Sequence, residues 1–394
     1  MLTLCLGIQS VWWTYDRLCP TKLKPPRKPY YPKEMDPLTP FYNEPYHGQA
    51  IVFPVWNKNQ QQQPFPCGPL VHQADMGSRQ PTSSGFLYVK EMKTGSTTLS
   101  GVTVRIARNM AQRLHNANDT MACTSRFVHL RARRLRDRNP HESFLWSVVR
   151  EPTSRLLSKF FHFAVSRDGW QPGFDSFHKY VMDNEVTDLA YYFKTLSMRA
   201  HTNPYRMDLF PEFLDQLLTS YDFLGVSERM DESLVVLQLL LGLETQDILY
   251  LSGTKTSGSY EFVPGQQKCV LIQKYKNQIT PEMKEWFYSE DFEYFLQADV
   301  MVYQAVNASL DKTIVELGRD RVDRALKRFQ WAQRLAQDTC GAVTKFPCTA
   351  QGVREPVTDC LQQDVACGYK CLDQVGAALA TNAKFQQLAP ILEL

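Results

Sequence analysis

Lys93, Thr94, Gly95, Ser96, Thr97 and Thr98 form one unbroken run in which a cation is followed by a glycine and by hydroxyls. Residues of these types, this close together, suit a group that spreads negative charge over several oxygens, such as a phosphate or a sulfate. The run follows the apolar residues 86–89 and leads into Leu99, Val102, Ile106, Met110 and Leu114, whose spacing is that of one helix face. The segment therefore reads as strand, turn and helix. At the start of that helix the amides of Gly95 to Thr98 lack helical acceptors and point outward at the positive end of the dipole, where an anion docks. Lys93 adds a full charge. The order differs from a Walker A loop, whose Lys follows the second Gly; here Lys93 precedes Gly95, and no Gly-x-x-x-x-Gly-Lys occurs in the chain. Taken alone, the run also fits a helix with an ordinary Ser/Thr cap.

A second stretch, residues 143–163, repeats the pattern. A buried-strand run ends at Arg150, and Pro152 stands where the first helical turn favours it. Arg150 at the strand end and Ser158 on the helix can hold a second anion. Lys-Thr-Gly-Ser-Thr, followed by Val-Arg-Glu-Pro-x-x-Arg-x-x-Ser-x-Phe, resembles the sulfotransferases that use 3'-phosphoadenosine 5'-phosphosulfate (PAPS). The resemblance covers residues 84–310. It implies that Lys93, Thr94, Gly95, Ser96, Thr97 and Thr98 hold the 5'-phosphosulfate, that Arg150 and Ser158 hold the 3'-phosphate, and that the product is adenosine 3',5'-bisphosphate. In the family a late basic, glycine-containing loop closes over the 3'-phosphate, which points to Lys255, Ser257 and Gly258; a plain surface loop fits these residues equally well. Members often carry Pro directly before the lysine of the first motif, where this chain has Met92.

The resemblance also implies a chemistry. Lys93 contacts the oxygen that bridges sulfur and phosphorus and helps the nucleotide leave, with no metal required. In agreement, the second strand ends in Arg150 where a magnesium enzyme would place an Asp. An acceptor hydroxyl must lose a proton, and a neutral imidazole is the usual agent near pH 7. His129 is the expected base, because it lies between the two motifs as catalytic histidines do in sulfotransferases of this kind. A hydrogen-bonded core histidine is the structural alternative. His162, on one helix face with Arg155 and Ser158, is the second candidate. Arg155 matches a family position with a bracing role through an ion pair. Asp188 and Glu228 are carboxylates that no spacing singles out.

The elements that must position these residues are legible as an alternation. Residues 126–130, 144–149 and 222–227 read as strands, with 248–251 as one more. Residues 174–182, 209–218, 232–241, 291–310 and 320–336 read as helices, and Gly242 is placed to end the third of them. The fold expected is α/β, a P-loop-like parallel sheet flanked by helices, in which ligands sit beyond the carboxyl ends of the strands. Lys93 and Arg150 both fall at such ends.

With 394 residues, 43% hydrophobic and 22% charged, the chain can bury one large core. A net charge of +3 is too small for a nucleic-acid groove, so no nucleic-acid partner is expected. The local run Arg131, Arg133, Arg134, Arg136 and Arg138 reads as a solvated face or as the rim of a site for anions. Of the 10 cysteines, Cys340, Cys348, Cys360, Cys367 and Cys371 crowd the tail without paired Cys-x-x-Cys spacing, and no histidine follows His201. Disulfides in an oxidising lumen fit better than a metal site. Two sequons, Asn118-Asp119-Thr120 and Asn307-Ala308-Ser309, agree with that compartment; Asn118, outside the helices, is the better acceptor.

The organisation expected is a weak signal or clipped signal-anchor segment over 1–18 and a Pro/Gln-rich stem over 19–83. The sulfotransferase catalytic domain then spans 84–310, with a helical extension over 311–338 and a Cys-rich tail over 339–394. The apolar start is shorter than the roughly 20 residues that span a bilayer, so membrane attachment through the N-terminus needs the anchor reading. The stem aromatics Tyr30, Tyr31, Phe41, Tyr42, Tyr46, Phe53 and Trp56 can pack along the catalytic domain. Residues 224–233, Phe346-Pro347-Cys348 and Cys367-Gly368-Tyr369-Lys370-Cys371 resemble the lumenal, carbohydrate-directed branch of the family. That resemblance implies a Golgi enzyme whose acceptor is a glycan of a polysaccharide, glycoprotein or glycolipid. Two other readings compete. A catalytically silent binder of nucleotide and glycan would have no need of Lys93, and a phosphotransferase would need the Walker order and a magnesium carboxylate.

Overall fold

Strands that are apolar along their whole length must be covered on both faces, and a parallel sheet wrapped by helices is the usual solution. The computed structural model describes residues 48–56, 65–69, 85–115, 121–123, 125–198, 210–252 and 259–382, and it has this architecture. From β1 (Gly85–Lys90) the chain passes through the Lys93 turn into α1 (Ser96–His115), then to β2 (Ser125–His129) and β3 (Ser143–Val149). The Arg150 turn follows β3 and opens α2 (Pro152–Phe160). Helices α3 (Phe174–Asp183), α4 (Tyr191–Leu196) and α5 (Phe210–Ser220) lead to β4 (Phe223–Val226) and α6 (Met230–Leu241), which Gly242 ends at φ 63°. The four strands are parallel in the order β2-β1-β3-β4. Two neighbouring parallel strands thus deliver the Lys93 and Arg150 turns to the same end of the sheet.

Aromatic packing joins the sheet to the segment before it. The rings of Tyr88 and Trp146 are 4.7 Å apart, and Phe86 stacks on Trp146 at 5.8 Å. Phe53 meets Phe223 at 5.4 Å, Trp56 meets Phe144 at 6.2 Å, and Phe65 meets Phe86 at 5.7 Å. The amides of Ile51 and Phe53 donate to the hydroxyls of Ser309 and Thr313, each at 3.0 Å. The described parts of the Pro/Gln-rich stem are therefore built into the core, and the packing does not divide at residue 83.

The rest of the chain comprises the antiparallel pair β5 (Tyr260–Val263) and β6 (Lys268–Leu271), then α7 (Pro281–Phe287), α8 (Glu290–Leu317), α9 (Arg319–Gly341) and α10 (Tyr369–Thr381). Two expectations differ here. Helix α8 runs past residue 310, with Leu310, Thr313 and Ile314 buried, because the polar pair Asp311 and Lys312 lies away from the core; the break comes at Gly318, φ 88°. Residues 248–251 form no strand. Side chains occupy the groups a strand would pair: Arg105 donates to the Leu249 carbonyl, and Gln333 accepts from the Tyr250 amide at 3.2 Å while donating to its carbonyl at 2.7 Å.

Four disulfides join described residues: Cys67–Cys123, Cys269–Cys348, Cys340–Cys371 and Cys360–Cys367. The first ties the stem to the segment after α1, the second ties β6 to the tail, and the third joins α9 to α10. The loops of 56 and 79 residues restrict the unfolded chain most, by roughly 4 kcal/mol each in the chain-entropy picture. Asn307 is buried and accepts from Arg229 Nη1 at 2.8 Å, so it cannot carry a glycan in this fold; Asn118 lies outside the described residues. Among the described residues no helix is long and apolar enough to cross a membrane.

Candidate active site

The first turn is held in a strained shape by contacts within it and from outside it. Lys93 sits at φ 63°, a left-handed conformation that costs a residue with a Cβ roughly 1–2 kcal/mol. Three bonds keep it there. Arg150 Nη1 donates to the Lys93 carbonyl at 2.9 Å, Thr94 Oγ1 donates to the Glu91 carbonyl at 3.2 Å, and the Met92 amide donates to Tyr191 Oη at 3.0 Å. Gly95 follows at φ 77°, with Met230 Cε only 2.8 Å from where a Cβ would stand. The Leu99 amide makes the bond to the Gly95 carbonyl, so the amides of Ser96 to Thr98 open the helix ahead of any helical partner. Ser96, Thr97 and Thr98 are half-buried, whereas Thr94 is buried with its hydroxyl turned into the turn itself.

Lys93 Nζ donates to Nδ1 of His162 at 2.8 Å. His162 lies on a π-helical turn, Phe161–Val165, that continues α2. Burial, together with the charges of Lys93 and Arg167, lowers its pKa to about 2. The imidazole is therefore neutral, and because an ammonium can only donate, the Nδ1 lone pair is assigned toward the lysine and the ring proton to Nε2. Glu261 Oε2 is 3.6 Å from the same Nδ1, but a neutral ring makes no ion pair there; Glu261 instead accepts from Arg167 Nη2 at 2.5 Å. Burial also lowers Lys93, to about 8, with Glu261 opposing that shift and Arg150 and Arg167 adding to it.

Arg150 connects the second turn to the first. Besides its bond to the Lys93 carbonyl, it donates from Nη2 to Tyr275 Oη at 3.0 Å and lies 3.7 Å from Glu228 Oε1. Burial raises the Glu228 carboxyl to about 7. The first amides of α2 are already taken: the Glu151 carboxylate accepts from Thr153 and Ser154 at 2.9 and 2.7 Å. An anion at this turn would thus meet the side chains of Arg150 and Ser158, the latter half-buried on α2, rather than a free helix end.

His129 ends β2 directly opposite Lys90, on the strand beside the one that feeds Lys93. Its residue is exposed, and partial burial of the ring plus the charge of Lys90 lowers its pKa. The imidazole in contact with Lys93 is that of His162. Lys255, Ser257 and Gly258 lie outside the described residues.

Residues 81–296 match the profile of the sulfotransferase family, a span that contains both turns and both histidines. This chain belongs to the sulfotransferase family. Comparison with curated proteins found no match, and neither did comparison with solved structures. In this sulfotransferase Arg155 is fully buried, with Nη1 3.5 Å from Asp188 Oδ1 and Nη2 3.4 Å from Asp299 Oδ2. Lys159 completes the cluster at 2.6 Å from Asp188 Oδ2, which takes Asp188 out of the reckoning as a base. The cluster supports α4, where Tyr192 Oη accepts from the Arg150 amide at 2.8 Å and donates to the Arg150 carbonyl at 2.6 Å. Tyr191, Tyr192, Tyr275 and Asp299 hold the site, yet no spacing in the sequence marks them. Beside the first turn of α1 the sulfotransferase has a cavity of about 130 Å³ lined by Thr97, Thr98, Tyr250, Tyr260, Glu261 and Asp364. Among the described residues no group of three or more His, Cys, Asp or Glu side chains is placed to hold a metal ion.

Proposed function

We propose that this sulfotransferase moves a sulfuryl group from PAPS to a hydroxyl of a carbohydrate acceptor, in the Golgi lumen or at its membrane. The observation that carries the nucleotide reading is the 2.9 Å bond from Arg150 to the Lys93 carbonyl. Two cationic turns, each suited to one anionic group, share a hydrogen bond, and a nucleotide with phosphate at both the 3' and 5' positions suits such a pair. The residues present fit it: unpaired helix amides and three hydroxyls at Ser96 to Thr98, a lysine beside them, and an arginine with Ser158 on the adjoining turn.

In this reading the amides and hydroxyls of residues 96–98 bind the sulfonate and 5'-phosphate oxygens. Lys93 donates to the bridging oxygen as the bond from sulfur to it breaks, so that charge building there meets a cation. One such donor is worth about 3 to 4 kcal/mol in comparable oxyanion sites. His129, kept neutral near pH 7 by its lowered pKa, takes the proton from the acceptor hydroxyl as its oxygen bonds to sulfur. Adenosine 3',5'-bisphosphate leaves. The disulfides support a lumenal compartment, since such bonds persist in oxidising surroundings. The carbohydrate acceptor rests on the resemblance of residues 224–233 and of the tail to the lumenal branch. Incubation with sulfur-labelled PAPS and a panel of polysaccharides, glycoproteins and glycolipids tests it: label should pass to at least one glycan, and transfer only to small phenols or steroids would overturn the acceptor class.

A further inference from the structure

Two departures from regular backbone meet in one hydrogen bond. Lys93 is left-handed although it is not a glycine, and α2 widens into a π-turn at Phe161–Val165. A π-turn re-aims the side chains it carries, and such turns gather at functional sites. Here it presents His162 Nδ1 to Lys93 Nζ at 2.8 Å. Each irregularity is fastened independently. Arg150 and Tyr191 hold the lysine's turn, and Ser166 holds the π-turn by donating from its amide and its hydroxyl to the Phe161 carbonyl at 3.0 and 2.5 Å. Backbone strain that is over-determined in this way marks places where geometry matters to function.

We propose that His162 is a positioning residue for Lys93: its imidazole accepts from the ammonium and fixes where Nζ stands while the bridging oxygen departs. The inference rests on the sulfuryl-transfer reading above and deepens it. A general base needs a free lone pair within reach of the hydroxyl it deprotonates. The Nδ1 lone pair of His162 already faces Lys93, and its other nitrogen carries the proton, so His162 does not take the acceptor's proton. The charged groups around Lys93 come from several elements: Arg150 from the end of β3, Arg167 from the segment after the π-turn, and Glu261 from β5, itself tied to Arg167. Among them a neutral acceptor is the one partner that orients the ammonium without adding charge of either sign. A protonated imidazole would repel the lysine, and burial between two cations keeps the ring unprotonated.

The test compares His162→Phe, which keeps the ring volume without an acceptor, with His162→Asn, whose Oδ1 can stand near the Nδ1 position. Should the Phe variant not fold, His162→Leu, which also lacks an acceptor, replaces it, with the same expected loss. The first readout uses the free protein and no PAPS: the pH dependence of acylation of Lys93 by acetic anhydride, followed by mass spectrometry. The Lys93 titration should fall by about one pH unit in the Phe variant and stay near wild type in the Asn variant. The second readout is sulfuryl transfer. The Phe variant should lose about 10- to 100-fold in kcat with KM for PAPS within about threefold, and the Asn variant should recover most of kcat. Equal loss of kcat in both variants, or full kcat in the Phe variant, overturns the proposal. If the wild-type chain transfers nothing from PAPS while the titration shifts as stated, the sulfuryl-transfer reading falls and the lysine clamp stands. If transfer occurs and the titration does not shift, the clamp falls.

Discussion

The guanidinium of Arg155 lies 3.8 Å over the ring of Tyr191, whose hydroxyl accepts from the Met92 amide one residue before Lys93. A buried ion cluster is thereby linked to the strained turn through Tyr191. The arrangement separates residues that hold the turn from residues proposed to meet the nucleotide, and the two groups should respond differently to substitution.

Arg155→Met keeps much of the volume but leaves Asp188 with Lys159 alone and Asp299 without its ion-pair partner. Breaking a buried pair by removing one member costs about 3 to 5 kcal/mol. Chemical denaturation should show a loss of that order, and the same variant should lose activity in proportion to its folded fraction. A variant as stable as wild type would show that the cluster does not brace the fold.

Arg150→Ala removes the guanidinium that reaches the Lys93 carbonyl. Adenosine 3',5'-bisphosphate at about 100 times its Kd should stabilise the wild-type protein by about 2.7 kcal/mol and raise its Tm. The variant should show no such rise. If the nucleotide leaves the wild-type melting curve unchanged, the nucleotide assignment is wrong.

Lys93→Ala should lower kcat by about 100- to 1,000-fold, the usual cost of losing one donor to a developing oxyanion. If His129 is the base, as proposed above, His129→Ala should lower it by about 100-fold or more and remove the acidic limb of the pH profile. Both variants should melt within a few degrees of wild type. Full activity in the His129 variant would mean that another group takes the proton.

Glu91 makes a pH prediction. Burial raises its carboxyl from the ordinary 4.5 to about 7, against hydrogen bonds from Thr195 and Tyr191 that lower it. The folded chain then keeps a proton that the unfolded chain has already released. Its contribution to stability is full below about pH 4.5, declines as the pH rises toward about 7 and is level beyond. Glu91→Gln, neutral at every pH, lacks that decline. Urea unfolding of the two proteins should give a difference, wild type minus variant, that falls by about 1.4 kcal/mol per pH unit between about pH 5 and about pH 7. A difference independent of pH would place the Glu91 proton elsewhere.

Local pattern made a large part of this legible. The apolar runs that became β1 and β3, the helical spacing of Leu99, Val102 and Ile106, Pro152 at the start of α2 and Gly242 at the end of α6 each act within a few residues. Residues 248–251 misled for the opposite reason. They are apolar enough for a strand, but Arg105 and Gln333 bind their backbone from far along the chain. The stem aromatics gave no sign of which core positions they would fill, because a ring's destination depends on the shape of the surface it meets.

By itself, then, the order of residues determined the alternating elements, the placement of Lys93 and Arg150 at the ends of strands, and membership of the sulfotransferase family. Only the tertiary structure decided that Arg150 reaches the Lys93 carbonyl, that His162 rather than His129 touches the lysine, and that Tyr275 stands on Arg150. These contacts join residues 57, 69 and 125 positions apart. Period and propensity are set between neighbours along the chain, whereas such contacts arise only when strands take their order in the sheet and helices pack against it.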